Sequence, residues 1–204
     1  MRSIRRAALR IAAFAFTASG VPSLVDAQTI TFNNLAGNNG TAFSAYSESG
    51  FDVTLLVGDL CVAKFFGNPI PALYDGGGCG TDNVFALVSV TRSGGGLFRW
   101  LGIDLAAVDG GTIQYSVEGG APGASLYQQT GTFASTTFFT LASNNSSTAV
   151  NELRFSIGSV NARSFNIDNI ALGAATTVPE PSSFALIGLG LTAVIAARRR
   201  KTAR

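Results

Sequence analysis

Between Gln28 and Val178 the chain is punctuated too often for long helices to form. Short apolar segments are separated at fairly regular intervals by clusters of Gly, Asn, Ser and Pro. The clearest is TIQYSVE at 112–118, where Ile113, Tyr115 and Val117 share one face of a period-two pattern. TITF at 29–32 is short and GFDVTLLV at 50–57 alternates only loosely; TTFFTLA at 136–142, NELRFSI at 151–157 and RSFNIDNIAL at 163–172 are further strand candidates, with LFRWLGIDL at 97–105 following an SGGG turn. DLCVAKFF at 59–66 and VFALVSVTR at 84–92 are apolar at nearly every step, as strands covered on both faces are. Many short strands joined by turn residues, with no capped amphipathic helix among them, predict an all-β, antiparallel β-sandwich. A span of 151 residues is enough for one such domain with its own core. The expected boundaries are residues 28–175.

The two ends have a different chemistry. Arg2, Arg5, Arg6 and Arg10 precede the short apolar run IAAFAFTA, which is followed by SGVPS and VDAQ. A basic start, an apolar stretch and small residues at Val25 and Ala27 describe a secretory signal peptide over 1–27. Cleavage by signal peptidase is expected between Ala27 and Gln28, after export by the general secretion machinery. The Arg5-Arg6 pair fits twin-arginine export poorly. At the other end, over 176–204, VPEPSSFALIGLGLTAVIAARRRKTAR sets Pro179-Glu180-Pro181 before an apolar run and a basic cluster. Residues 184–197 would span about 21 Å as a helix, short of a bilayer core of about 30 Å. With Ser182, Ser183 and snorkelling arginines included, the segment just reaches across. Arg198, Arg199, Arg200 and Lys201 would stay on the cytoplasmic side.

Removing the ends reverses the charge. Nine of the 14 basic residues lie in the terminal segments, and residues 28–178 keep five bases against ten acids, 5 − 10 = −5. Such a domain has no electrostatic footprint for nucleic acid. The chain contains no histidine, which removes Ser-His-Asp and Cys-His nucleophile systems and His-containing zinc sites. No phosphate-binding glycine motif is present, and Asp109-Gly110-Gly111 reads as a hairpin turn.

The order Pro-Glu-Pro, apolar helix, Arg198-Arg199-Arg200 closely resembles the PEP-CTERM sorting signal of Gram-negative bacteria. That resemblance implies recognition by the membrane enzyme exosortase, a transient stay in the inner membrane, and cleavage near 178–181. A permanent C-terminal anchor is the alternative. YSESGF at 46–51, GNPIP at 67–71, GGLFRWLGIDLA at 95–106 and FNIDNIAL at 165–172 are also similar to the jelly-roll ectodomains of PEP-CTERM proteins. Those ectodomains are themselves similar in shape to carbohydrate-binding modules. The likeness implies a fold and transfers no ligand-binding residue.

Cys61 and Cys79 are the only cysteines, and in an oxidising compartment an even pair reads as a disulfide. Two buried free thiols are the alternative. Calcium is the one candidate cofactor, with Asp75, Asp82, Asn83 and Asp168 as oxygen donors. Trp100, Tyr115 and Tyr127 are the candidate sugar-stacking platforms, although a lone Trp among apolar neighbours more often belongs to a core. Glu48, Asp52, Asp104, Glu118 and Glu152 are the scattered carboxylates from which a glycosidase pair would have to come. SNNSST at 143–148 and TGTFASTT at 130–137 are further stretches able to carry or contact sugars. The expected function is non-catalytic: a component of the cell surface or extracellular matrix that contacts exopolysaccharide. The competing readings are a structural surface protein without a ligand and a small polysaccharide-degrading enzyme.

Overall fold

The computed structural model describes residues 27–80, 84–121 and 124–175. The segment before Ala27, expected to be a signal peptide, the sorting tail, Asp82 and Asn83 lie outside the described residues. The described part is all β, with antiparallel pairing throughout and no helix. Its thirteen strands are β1 (Gln28–Ile30), β2 (Ala45–Glu48), β3 (Phe51–Gly58), β4 (Cys61–Ala63), β5 (Ala72–Gly76), β6 (Phe85–Arg92), β7 (Phe98–Ala107), β8 (Ile113–Ala121), β9 (Ala124–Phe133), β10 (Phe139–Ala142), β11 (Ala149–Val150), β12 (Glu152–Ser159) and β13 (Ser164–Ala174). One sheet runs β10-β7-β13-β5-β4, with β1 also on β13 and β11 also on β7; the other runs β2-β3-β6-β12-β8-β9. The expected antiparallel sandwich is therefore what forms.

The two sheets meet over one apolar core. Alternation on β6 and β12 turns Ala86, Val88 and Val90, and Leu153, Phe155 and Ile157, inward. Trp100 on β7 meets Phe155 edge to face at 5.8 Å, and Phe98 meets Phe51 at 5.2 Å. Burial of such rings is the main stabilising term, worth roughly 2–3 kcal/mol for each large side chain.

A simple alternation fails on β7 and β13. Read strictly, Phe98, Trp100 and Gly102 share one face and Ile103 the other. In the structure Phe98, Trp100, Ile103 and Leu105 all face the core. The pairing explains it: Asp168 opposes Asp104, Ala171 opposes Gly102, and Leu172 opposes Trp100. One extra residue is absorbed on β13 near Asn169 and one on β7 at Leu101. Asn169 has φ 43, a left-handed conformation that Asn tolerates better than most residues. Each bulge flips the side-chain parity of its strand, so apolar residues keep facing inward on both sides of it.

Four strands were not legible. β2, β5 and the two-residue β11 are short, and β5 lies inside the Gly- and Pro-rich loop closed by the cysteines. β9 is an edge strand of Ser, Gln, Thr and Gly with weak apolar alternation, and residues 130–133 of TGTFASTT belong to it rather than to a loop. The 59–66 segment contracts to the three residues of β4.

Cys61 and Cys79 form the expected disulfide, with Cα atoms 5.7 Å apart. It joins the start of β4 to the glycine turn after β5. Between those strands, residues 64–71 cross the outer face of the seven-stranded sheet, where Phe66 stacks on Phe138 at 5.1 Å.

Candidate functional site

Asp104 and Asp168 are directly opposed on β7 and β13, on the face turned away from the core. Two carboxylates side by side repel, so their surroundings have to supply donors. Thr140, opposite Asp104 on β10, gives its hydroxyl to Asp104 Oδ1 at 2.6 Å. Asn68, on the loop that crosses this face, donates its backbone N–H to Asp168 Oδ2 at 2.6 Å and its side-chain amide to Asp104 Oδ2 at 3.3 Å. At the bulge, Asn169 donates its backbone N–H to Asp168 Oδ1 at 2.8 Å and its amide to Asp104 Oδ2 at 2.9 Å. That amide also reaches the Asn68 carbonyl. The result is a clasp that fastens the disulfide loop to the sheet, with Asp168 fully buried beneath it. Burial pushes the Asp168 carboxyl up to about 6, against the lowering effect of the Asn68 and Asn169 N–H groups, and Asp104 and Glu48 add to the rise. Replacing Thr140 by Val is expected to remove one charge-assisted hydrogen bond and cost about 1–2 kcal/mol, read as a lower urea midpoint at unchanged slope.

Of the expected calcium set Asp75 and Asp168 are described, and the structure does not bring these two together. Asp75 opposes Phe165 on β13 and shares its core-facing side, whereas Asp168 points outward three residues further along. Asp75 is fully buried and its Oδ2 has no hydrogen-bond partner. Burial lifts its carboxyl to about 6, opposed by the Gly76 and Phe85 N–H groups, with Asp59 adding to the rise. Among the described residues no three Asp, Glu, Cys or His side chains are grouped to hold a metal. Around Asp104 and Asp168 the oxygens are of the kind calcium takes. Each of those four carboxylate oxygens already accepts an N–H or O–H, so an ion there would have to displace protein donors. Neither Asp104 nor Asn68 belonged to the expected set. Their meeting with Asp168 depends on a register between distant strands and carries no local signal.

None of the three candidate platforms is presented to solvent as a flat ring. Trp100 is fully enclosed in the core, which corrects its reading as a ligand face. Tyr115 and Tyr127 turn inward on β8 and β9, and each lies over a glycine of the neighbouring strand. A Cβ on Gly131 would sit 2.4 Å from the Tyr115 hydroxyl, and one on Gly119 2.3 Å from the Tyr127 ring. Burial moves the Tyr127 phenol up to about 12.

The outer face of the six-stranded sheet is the more suitable surface for a polar ligand. Gln114, Ser116 and Glu118 on β8 stand beside Gln128, Thr130 and Thr132 on β9 and Arg154 and Ser156 on β12. Gln128 donates to Ser116 at 2.9 Å and to Glu118 at 3.0 Å. Arg154 pairs with Glu152 at 2.8 Å, and Ser89 donates to the same carboxylate. A depression of about 380 Å³ lies between Gln114, Ser116, Thr130, Thr132 and Ser156 and ends against Phe85. Of the other carboxylates, Glu48 accepts from Thr31 and the Phe32 N–H, and Asp52 from Ser47. SNNSST is a loop braced by Gln129, whose amide carbonyl accepts the Asn144 N–H at 2.8 Å.

Comparison with known proteins places the C-terminal segment. Residues 177–201 match the PEP-CTERM protein-sorting motif. The chain is thus of the class that is exported, carries a C-terminal membrane anchor before processing, and has exosortase as its processing partner. No curated protein matches the chain. Among solved structures it is similar to a DUF4465 family protein from Bacteroides caccae, at 11% identity and TM-score 0.45 over 73% of this chain and 99% of that one. It is also similar to the CBM22-1 xylan-binding domain of Paenibacillus barcinonensis Xyn10C, at 13% identity and TM-score 0.41 over 76% and 97%. A third is the CBM22-1–GH10 fragment of a Clostridium thermocellum xylanase, at 12% identity and TM-score 0.36 over 71% and 28%.

Proposed function

We propose that the exported sandwich acts at the cell surface or in the extracellular matrix as a non-catalytic module that contacts exopolysaccharide. One domain over 28–175, freed of a signal peptide by cleavage after Ala27 and of its tail by exosortase, would do this work. The observation that carries the reading is the outer face of β8, β9 and β12. There amide, hydroxyl and carboxylate groups stand in rows around a shallow depression bounded by Phe85. Sugars are bound by just such paired donors and acceptors with an apolar edge beside them. The two acids of this face are tied to neighbours, Glu118 to Gln128 and Ser125 and Glu152 to Arg154, which favours binding over hydrolysis.

The test is an isotherm for the oxidised protein with exopolysaccharide from the producing organism, in calcium and in chelator. Saturable binding is expected in both, with Trp100 emission unchanged, because the Trp is enclosed. Exchanging Gln114 and Thr130 for Ala should weaken binding by about thirtyfold, since each polar contact made to the sugar is worth about 1 kcal/mol. Binding lost only in chelator would return the function to an ion at the Asp104–Asp168 pair. Release of reducing ends would point to the enzyme, and no binding at all to a structural surface protein.

A further inference from the structure

We propose that one end of the sandwich faces the membrane while the protein is anchored, and that Arg92 on that end meets anionic phospholipid headgroups. The inference rests on the proposed reading of both terminal segments as membrane-directed. It starts from the pairing of β1 with β13, in which Gln28 lies opposite Leu172. The chain before Gln28 and the chain after Ala174 therefore leave the domain from the same end. The turn at residues 93–97 stands there too. Ala174 opposes Phe98, Arg99 Nε donates to the Ala174 carbonyl at 2.7 Å, and the Ser93 N–H donates to Gly50 at 2.9 Å.

Reach makes this arrangement restrictive. Nine residues lie between Ala174 and Phe184, where the apolar run begins, and nine between Ala18 and Gln28 before the signal peptide is cut, ten Cα-to-Cα steps in each case. Ten extended residues span at most about 35 Å. A domain of about 150 residues has a radius of gyration near 15 Å and is about 40 Å across. The turns at 77–80 and 108–111, at the far end, are thus held away from the bilayer.

The chemistry of the near end agrees. Arg92 is exposed, and its side chain makes no hydrogen bond or ion pair among the described residues, in a domain with twice as many acids as bases. The acids on the neighbouring strands are occupied: Glu48 with Thr31 and Phe32, Asp52 with Ser47, and Glu152 with Arg154 and Ser89. Beside Arg92 the turn offers three glycines and Leu97, which is 51% exposed. An uncompensated cation next to a small apolar tip is the combination that settles on an anionic headgroup layer.

The full chain, produced without exosortase and reconstituted into vesicles, tests this by amide hydrogen exchange. In vesicles containing phosphatidylglycerol, the amides of 93–97 should exchange about tenfold more slowly than in phosphatidylcholine alone. Those of 108–111 should be indifferent to the lipid. Arg92→Glu should abolish the difference at 93–97 while leaving 108–111 as in the wild type, which shows that the variant is folded. If the chain co-floats with vesicles but 93–97 exchanges alike in both lipids, or the slowing falls at 108–111, this inference fails and the anchoring reading stands. A chain that does not co-float at all overturns both.

Discussion

Acidifying the oxidised protein from about pH 7.5 to about pH 5 is expected to raise its resistance to urea. Two buried carboxyls, Asp75 and Asp168, hold their protons up to about pH 6 in the folded state, whereas the ordinary value is 3.8. Between those values the folded protein binds more protons than the unfolded chain, so stability falls as pH rises. The contribution is complete below the unfolded pKa and is lost on passing upward through about 6. A displacement of this size corresponds to about 2–3 kcal/mol for each acid. The two differ in what substitution does. Asp75 leaves one oxygen without a partner, so Asp75→Asn removes the buried charge while an amide oxygen still accepts the Gly76 N–H. That variant should be more stable than the wild type at neutral pH, and its urea midpoint should vary about half as much with pH. At Asp168 both oxygens accept N–H groups, so an Asn there sets an amide N–H against another donor and destabilises. A wild-type midpoint that falls steadily from neutral pH to pH 5 would contradict the account of both acids.

Reduction of Cys61–Cys79 is expected to be the most damaging mild treatment. The bond closes a loop of 18 residues, and freeing it restores about 3 kcal/mol of chain entropy to the unfolded state. Total stability for a domain is about 5–15 kcal/mol, so the loss is a large share. At about 2–4 °C per kcal/mol it lowers Tm by about 10 °C. The consequence is also local, because the same loop carries Asn68 and Phe66. In a Cys61→Ser, Cys79→Ser variant, the amides of Asn68 and Asn169 should lose exchange protection ahead of the core strands. Equal melting temperatures for oxidised and reduced protein would show that the clasp and the strands hold the loop unaided.

What the amino-acid order made legible follows the range of each interaction. Ile113, Tyr115 and Val117 announce β8 because period-two alternation is local, and all three do turn inward. Cys61 and Cys79 announce their bond because export leaves few other fates for a lone pair. The tail announces itself because Pro179-Glu180-Pro181, the apolar run and the arginines are contiguous. Asp168 was visible as a candidate oxygen donor on the last strand. Its partners were not, since Asp104 lies 64 residues away and Asn68 100, and only the β7–β13 register and the crossing loop bring them together. The paired bulges at Leu101 and near Asn169 were hidden for the same reason: each is defined by the other strand. β9 escaped notice because an edge strand with a solvated face needs few apolar residues, and those polar residues line the surface proposed for sugar.

The central claim is that the tail is an address and the sandwich its cargo. The most direct measurement is the intact mass of the disulfide-bonded protein recovered from the producing cells, with and without exosortase. The account predicts that exosortase-positive cells yield a chain beginning at Gln28 and ending between Val178 and Pro181, and that cells without the enzyme retain Arg198–Lys201. A mature protein that keeps its arginine cluster in both strains would contradict it and leave a permanently anchored domain.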